Sequence, residues 1–401
     1  MRKQTFLYSL AQALSLTSAV IGVSISPIVG KSLAPYPELA TLPYGTQFAS
    51  VIACSYLLSM SMKRFGRRPV FFLGAITLAL GGLLGALSIY LHSFTLNLLG
   101  HALLGVTISA FAYFRFAATD GLDDKQKAKA ISYVTLGGIA AAFIGPKIAQ
   151  SSRLLIEDFS FSASYLSFTI LALLVMLILL MIPKGNRVQA ASSDVSIDKK
   201  TAEPSMHATS KKLPLALAVA IYASGFGYML MALLMMQSSL KMNEMGVPFA
   251  DIMIVIQYHV VAMFLPSLFM GRIISMIGVE KVILAGYITM FSAMLVAIFM
   301  VSYTGILIAL IGVGLGWNML YVGGSSLVAT LHGDAHKMQG INESAVAVLN
   351  TIGALSAGFL FQHIGWESSN WLAMSLLLPG LILLIIHRWQ RATRNINAVT
   401  Q

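Results

Sequence analysis

Long apolar runs, each about as long as a membrane crossing, alternate with short polar turns along the whole chain. A first set covers 6–29, 42–62, 69–91, 95–118, 129–150 and 162–182, and a second covers 213–236, 250–274, 281–302, 304–328, 341–361 and 370–387. A helix rises about 1.5 Å per residue, so about 20 apolar residues cross the hydrocarbon core, and each run predicts one helix. Between the sets, 183–212 is rich in Ser, Asp, Glu, Lys and Pro and lacks the large apolar groups a folded unit buries. The pattern predicts an all-α membrane protein of twelve transmembrane helices in two pseudo-symmetric six-helix bundles, 1–182 and 213–401, joined by a cytoplasmic linker at 183–212.

Composition excludes the soluble alternative. Of the 401 residues 57% are hydrophobic and 10% charged, and the mean hydropathy is +0.80, far from the balance of a water-soluble domain. The net charge of +11 would raise the question of nucleic acid in a soluble protein, but its placement answers it. With both termini cytoplasmic, 21 of the 26 basic residues fall on the inner side, against Lys31, Arg153 and Lys241 outside and Arg115 and Lys147 within helices. Basic residues are retained in the cytoplasm, so the charge sets orientation and no nucleic-acid partner is expected. The expected location is the bacterial cytoplasmic (inner) membrane, as a multi-pass monomer in lipid.

The first thirty residues have a basic tip and an apolar run, but the run is span-length and no small-x-small cleavage site follows cleanly, so it reads as a retained helix 1. The single cysteine, Cys54, lies inside helix 2 and gives neither a disulfide framework nor a zinc cluster. No metal or cofactor is expected.

The two sets repeat one another. A basic, glycine-containing turn closes helix 2 at Ser59 to Arg68 and another closes helix 8 at Gly271 to Lys281, with Gly66 and Gly278 212 positions apart. Near the same offset Lys129-Ala130-Ile131-Ser132 matches Lys337-Met338-Gln339-Gly340, and Gly145 matches Gly358. Parallel duplication leaves such a pattern, and transporters built this way bind their solute between the repeats near the midplane.

Arg64-Phe65-Gly66-Arg67-Arg68 resembles the loop 2–3 signature of the major facilitator superfamily, and Gly145-Pro146 resembles the Gly-Pro of its helix 5 antiporter motif. Phe114 to Asp120, Ile256-Gln257-Tyr258-His259, Pro266-Ser267, Gly316-Trp317-Asn318 and Val322-Gly323-Gly324 look like a bacterial subgroup described mostly as major facilitator transporters. The resemblance covers essentially the whole chain and implies the fold strongly but hardly the substrate. It departs at Lys63, where the pattern has Asp, at Ser59, where it has Gly, and at His101, where many antiporters carry Arg. By resemblance Arg67 would pair with Asp120, and Lys63 or Arg64 would lie near Glu343, as a cytoplasmic latch between the halves.

Charge inside hydrocarbon is costly and usually faces a cavity or a partner. Arg115, near the inner end of helix 4, and Lys147, near the outer end of helix 5, read as cations reaching the interface or paired structurally. His259 lies near mid-depth in helix 8, beside Gln257 and Tyr258. It is either a neutral histidine bonded to a neighbouring helix or a cavity-facing solute or proton site, since histidine can change charge within physiological pH. Of the fifteen carboxylates, Asp120, Asp251, Glu280 and Glu343 are at helix ends and the rest in loops. A cationic solute is therefore less expected than a neutral, zwitterionic or anionic one, although Trp317, Tyr228 and Tyr258 could hold a cation on their faces.

Glycine runs such as Gly81-Gly82 to Gly85 and Gly312 to Gly316 allow close helix approach. The 22 methionines are dispersed core filler, and Trp366 and Trp371 suit an outer aromatic belt. The pattern supports a secondary active transporter of a small organic solute working by alternating access with proton coupling, Gln257, Tyr258, His259, Trp317, Asn318 and His101 being the candidate binding residues. A multidrug or toxic-compound efflux antiporter and a non-transporting receptor or scaffold on the same fold are the alternatives. Mid-depth polar groups recurring in helices 8 and 10 favour transport, and nothing suggests a covalent reaction, so an enzyme is not expected.

Overall fold

The computed structural model describes residues 3–119, 122, 124–182, 215–331 and 335–399, which form helices and turns with no strand among them. The first half contains α1 (Lys3–Leu33), α2 (Leu42–Phe65), α3 (Arg67–Tyr90), α4 (Phe94–Ala117), α5 (Asp124–Ser152) and α6 (Ser162–Met181). The second contains α7 (Leu215–Glu244), α8 in two segments (Phe249–Phe264 and Ser267–Ile277), α9 (Val279–Phe299), α10 (Tyr303–Ala329), α11 (Ala335–His363) and α12 (Gly365–Val399). The expected linker lies outside the described residues.

Among the described residues nine helices are long and apolar enough to cross a membrane, and the two segments of α8 together make a tenth. The expectation of twelve apolar spans is met at ten; α2 and α5 have the length but carry more Ser, Gln and Lys. Packing supplies the reason. α2 lies against α11 and α5 against α8, so these helices join the halves and have less need of an apolar face toward lipid. By contrast α3, α6 and α12 turn rows of large apolar residues outward, including Leu73, Leu80, Leu87, Leu173, Leu177, Ile382 and Ile385, as lipid-facing helices must.

Within the first half α1 packs on α5, α3 on α4 and α6, and α2 on α4; within the second α9 packs on α10 and α12, and α7 on α11. The repeat has a backbone cause. Gly66 ends α2 at φ 88° and Gly278 ends α8 at φ 89°, a left-handed conformation glycine adopts without a steric penalty. Ser93 and Ser302 cap α4 and α10 by accepting hydrogen bonds from the Leu96 and Gly305 amides.

Two irregularities shape the second half. α8 bends by 43° at Leu265 and Pro266, where proline breaks the helix ladder. α7 contains one π-helical turn, Tyr222–Phe226, with those two rings stacked 4.0 Å apart.

α12 runs beyond its apolar stretch, and Arg391 at 2.8 Å and His387 at 3.4 Å hold Glu280 of α9 there. The aromatic belt is half realised: Trp371 is exposed, but Trp366 is buried and donates to the Ala297 carbonyl across 2.7 Å. An indole that reaches a carbonyl on α9 serves packing between two helices.

Candidate central cavity

Between the halves lies a cavity of about 440 Å³, lined from α1, α2, α4, α7, α8, α10 and α11, within the usual range for small-molecule sites. Its first-half wall is formed mainly by Gln12, Ser15, Tyr44 and Gln47, with Arg115 at the rim. The second-half wall is aromatic and methionine-rich. Trp317 stacks on Tyr321 at 5.4 Å and 4°, both on α10 one helical turn apart. Tyr228 meets Trp317 edge-on at 5.1 Å, and Phe264 lies 6.5 Å from it on the other side.

Polar atoms on both walls are left without partners. Gln12 Oε1, Trp317 Nε1 and Asn350 Oδ1 are buried without a hydrogen-bond partner among the described residues, and all three residues line the cavity. Leaving such groups unpaired costs roughly 1–3 kcal/mol each, so all three are open to a partner inside the cavity. No Asp or Glu lines it among the described residues.

The cavity narrows toward one end of the molecule. Tyr44, Gln47 and Met235 are buried, whereas Ala112 and Arg115 at the opposite end are exposed. At the closed end Gly358 of α11 bonds to Thr41 at 2.9 Å, and Arg153 sits over Phe161 at 5.4 Å and Phe249 at 5.0 Å. The Gly358–Thr41 and Arg153–Phe249 contacts join one half to the other, and Phe161 packs Arg153 from within the first half.

Of the residues singled out from the sequence, Trp317 and Tyr228 line the cavity and Arg115 lies at its rim, whereas the other binding candidates do not. His259 is fully buried but lies behind the wall, its Nδ1 2.7 Å from the Leu310 carbonyl of α10. Tyr258 is 50% exposed on the outer surface, and Gln257 is half-buried off the lining. Asn318 donates to the Met263 carbonyl across 2.7 Å and to the Ser267 hydroxyl, fastening α10 to α8 on both sides of its bend. His101 is buried in the first half between Gln47 and Tyr165, one side chain removed from the cavity.

The latch residues are arranged differently from the expected pairing. Glu343 accepts from Gln339 Nε2 at 2.7 Å and contacts the Tyr321 hydroxyl at 3.5 Å. Neither Lys63 nor Arg64 forms an ion pair with it; both are exposed, and Arg64 lies over the Phe65 ring. The cavity opens at this end, which holds the two sides apart. Asp120, the expected partner of Arg67, lies outside the described residues. Gly145 packs α5 onto α1, where a Cβ would meet the Val20 side chain at 2.8 Å, and Pro146 follows it inside the helix.

Sequence reasoning missed Gln12, Gln47 and Asn350. Each is a lone amide in an apolar run, and that signal was available; the side it faces was not.

Lipid-facing helices around a central, mainly apolar cavity with a few polar side chains define a membrane transporter of a small solute. Residues 7–329 match the model of the Major Facilitator Superfamily, and this chain belongs to that family. The riboflavin transporter RfnT of Brucella anthropi is 31% identical over 388 residues, covering 96% of each chain. The uncharacterized MFS-type transporter YddS of Bacillus subtilis is 23% identical, covering 92% of this chain and 87% of that one. Among solved structures the fold is like a D-xylose-proton symporter, with TM-score 0.70 at 15% identity over 95% of this chain and 97% of that one. It is also like the nucleoside transporter NupG, with TM-score 0.65 at 13% identity over 96% and 98%.

Proposed function

We propose that this chain is a proton-coupled secondary active transporter of the bacterial inner membrane that carries a planar, uncharged heteroaromatic solute of the riboflavin type by alternating access. The observation that carries the reading is the corner formed by Trp317, Tyr321 and Tyr228 facing the amides of Gln12 and Gln47. Aromatic faces stack on a flat ring and exclude water, while amides pair with polar edges that a purely apolar solute would lack. The relationship to a riboflavin transporter supports the same solute class. A lining without carboxylates among the described residues favours a neutral solute over a lipophilic cation.

In this reading both termini are cytoplasmic, 1–182 and 213–401 are the two moving halves, and the cavity faces inward. Glu343, which accepts from the cavity residue Tyr321, is the carboxylate at its mouth, beside the fixed positive charge of Arg115. A cysteine replacing Asn243, in a Cys54→Ala background, would then react with an impermeant maleimide added outside. The decisive test is riboflavin flux in proteoliposomes with and without an imposed pH gradient. Flux that rises with the gradient is expected. Absence of flux and of riboflavin binding would overturn the solute class, and flux indifferent to the gradient would overturn proton coupling.

A further inference from the structure

Behind the first-half wall a buried polar chain crosses four helices: Ser88 on α3, Asn97 and His101 on α4, Tyr165 on α6 and Gln47 on α2, none more than 2% exposed. With the Asn97 amide placed so that Nδ2 donates and Oδ1 is left buried without a partner among the described residues, its hydrogen bonds run in one direction. The Ser88 hydroxyl donates to the Gly85 carbonyl at 2.6 Å, so its oxygen accepts from Asn97 Nδ2 at 3.1 Å. The same nitrogen donates its second hydrogen to the Tyr165 oxygen at 3.2 Å. The Tyr165 proton is then directed to His101 Nε2 at 3.0 Å. A neutral imidazole accepting at Nε2 carries its hydrogen on Nδ1, and Nδ1 lies 3.1 Å from Gln47 Oε1.

The Gln47 carbonyl is thereby occupied and its amide nitrogen is turned the other way. Among the described residues that nitrogen has no hydrogen-bond partner, and Gln47 alone of the five lines the cavity. We infer that Gln47 is a specificity-determining residue presenting amide N–H to a ring carbonyl or imine nitrogen of the solute, with His101 and Tyr165 as positioning residues that fix its orientation. The inference rests on the reading of the cavity as the solute site. It deepens that reading by assigning the first-half wall a donor, opposite the stacking wall of Trp317 and Tyr321. A helix-packing role alone would leave the direction of the chain without consequence for the solute.

The test uses the full-length protein in nanodiscs with riboflavin as the probe, its fluorescence reporting binding. Gln47→Met keeps the side chain's length and removes the N–H groups, and is expected to weaken binding about tenfold, the loss of one well-placed hydrogen bond. Tyr165→Phe keeps the ring packing but frees His101 Nε2, and is expected to weaken binding severalfold through the released amide. In parallel, nitrogen NMR of labelled histidine at neutral pH, with the His101 signal identified by its loss in His101→Gln, is expected to show the Nδ1–H tautomer in the native protein and its loss in Tyr165→Phe.

Native-like affinity in a folded Gln47→Met protein would overturn the inference while leaving the riboflavin reading intact. Should the native protein not bind riboflavin, that solute reading falls, and the NMR decides the relay: the Nδ1–H tautomer supports the aimed amide and the Nε2–H tautomer overturns it.

Discussion

Gly358 on α11 donates its amide N–H to the Thr41 hydroxyl oxygen across 2.9 Å, joining opposite halves of the protein at residues 317 positions apart. The approach depends on the missing side chain, since a Cβ at Gly358 would come within 2.7 Å of the Glu38 carbonyl oxygen and 3.1 Å of Thr41 Oγ1. Backbone cannot yield as a flexible side chain can, so Gly358→Ala should part the halves at this end. Spin labels at exposed Tyr36 and Glu244, in a Cys54→Ala background, should report a longer distance in the variant. Thr41→Val should act in the same direction by about 1 kcal/mol; unchanged distances in both would show that this contact does not hold the closed end.

Arg153 closes the same end by a different force. Its guanidinium stands over Phe161 at the start of α6 and Phe249 at the start of α8. Cation–π contacts at such sites contribute about 0.5–1 kcal/mol each. Replacing Arg153 by Gln should shift the closed-to-open ratio severalfold, read by the same labels, with Arg153→Lys in between. If Lys and Gln behave alike, the guanidinium plane is irrelevant.

His259 is expected to act on stability rather than solute binding. Its Nδ1 bonds to the Leu310 carbonyl, so His259→Asn, which can place an N–H near the same point, should melt close to the native protein. His259→Leu should lose about 1 kcal/mol, a fall of a few degrees in thermal unfolding, with riboflavin affinity kept. A large loss of affinity in folded His259→Asn would instead return the histidine to the transport path.

The aromatic wall gives a sharper contrast. Trp317→Ala should weaken riboflavin binding about tenfold or more and Trp317→Phe less, because stacking area and the indole N–H are lost in steps. Tyr258→Ala, on the outer surface, should bind as the native protein does. Equal effects from positions 317 and 258 would rule out this assignment of the cavity face.

The helices were legible in the chain alone, because backbone in hydrocarbon must satisfy its own hydrogen bonds and the local record that requires is an apolar run between polar turns. The repeat was legible there too, because a left-handed turn after α2 and after α8 calls for glycine at 66 and 278. Which face of each helix lines the cavity follows only from how the helices pack. Gln257, Tyr258 and His259 are consecutive and so point about 100° apart around α8; they cannot share one wall. Val260, Met263 and Phe264, spaced at three and four residues, take that wall instead. Whether Asn318 binds a solute or fastens the bend in α8 depends on where Met263 and Ser267 come to lie, some 50 residues earlier in the chain. Gln47 acquires a direction only through His101 and Tyr165, brought beside it by packing among α2, α4 and α6. A side chain's aim is set by its neighbours in space, and hydropathy along the chain does not record them.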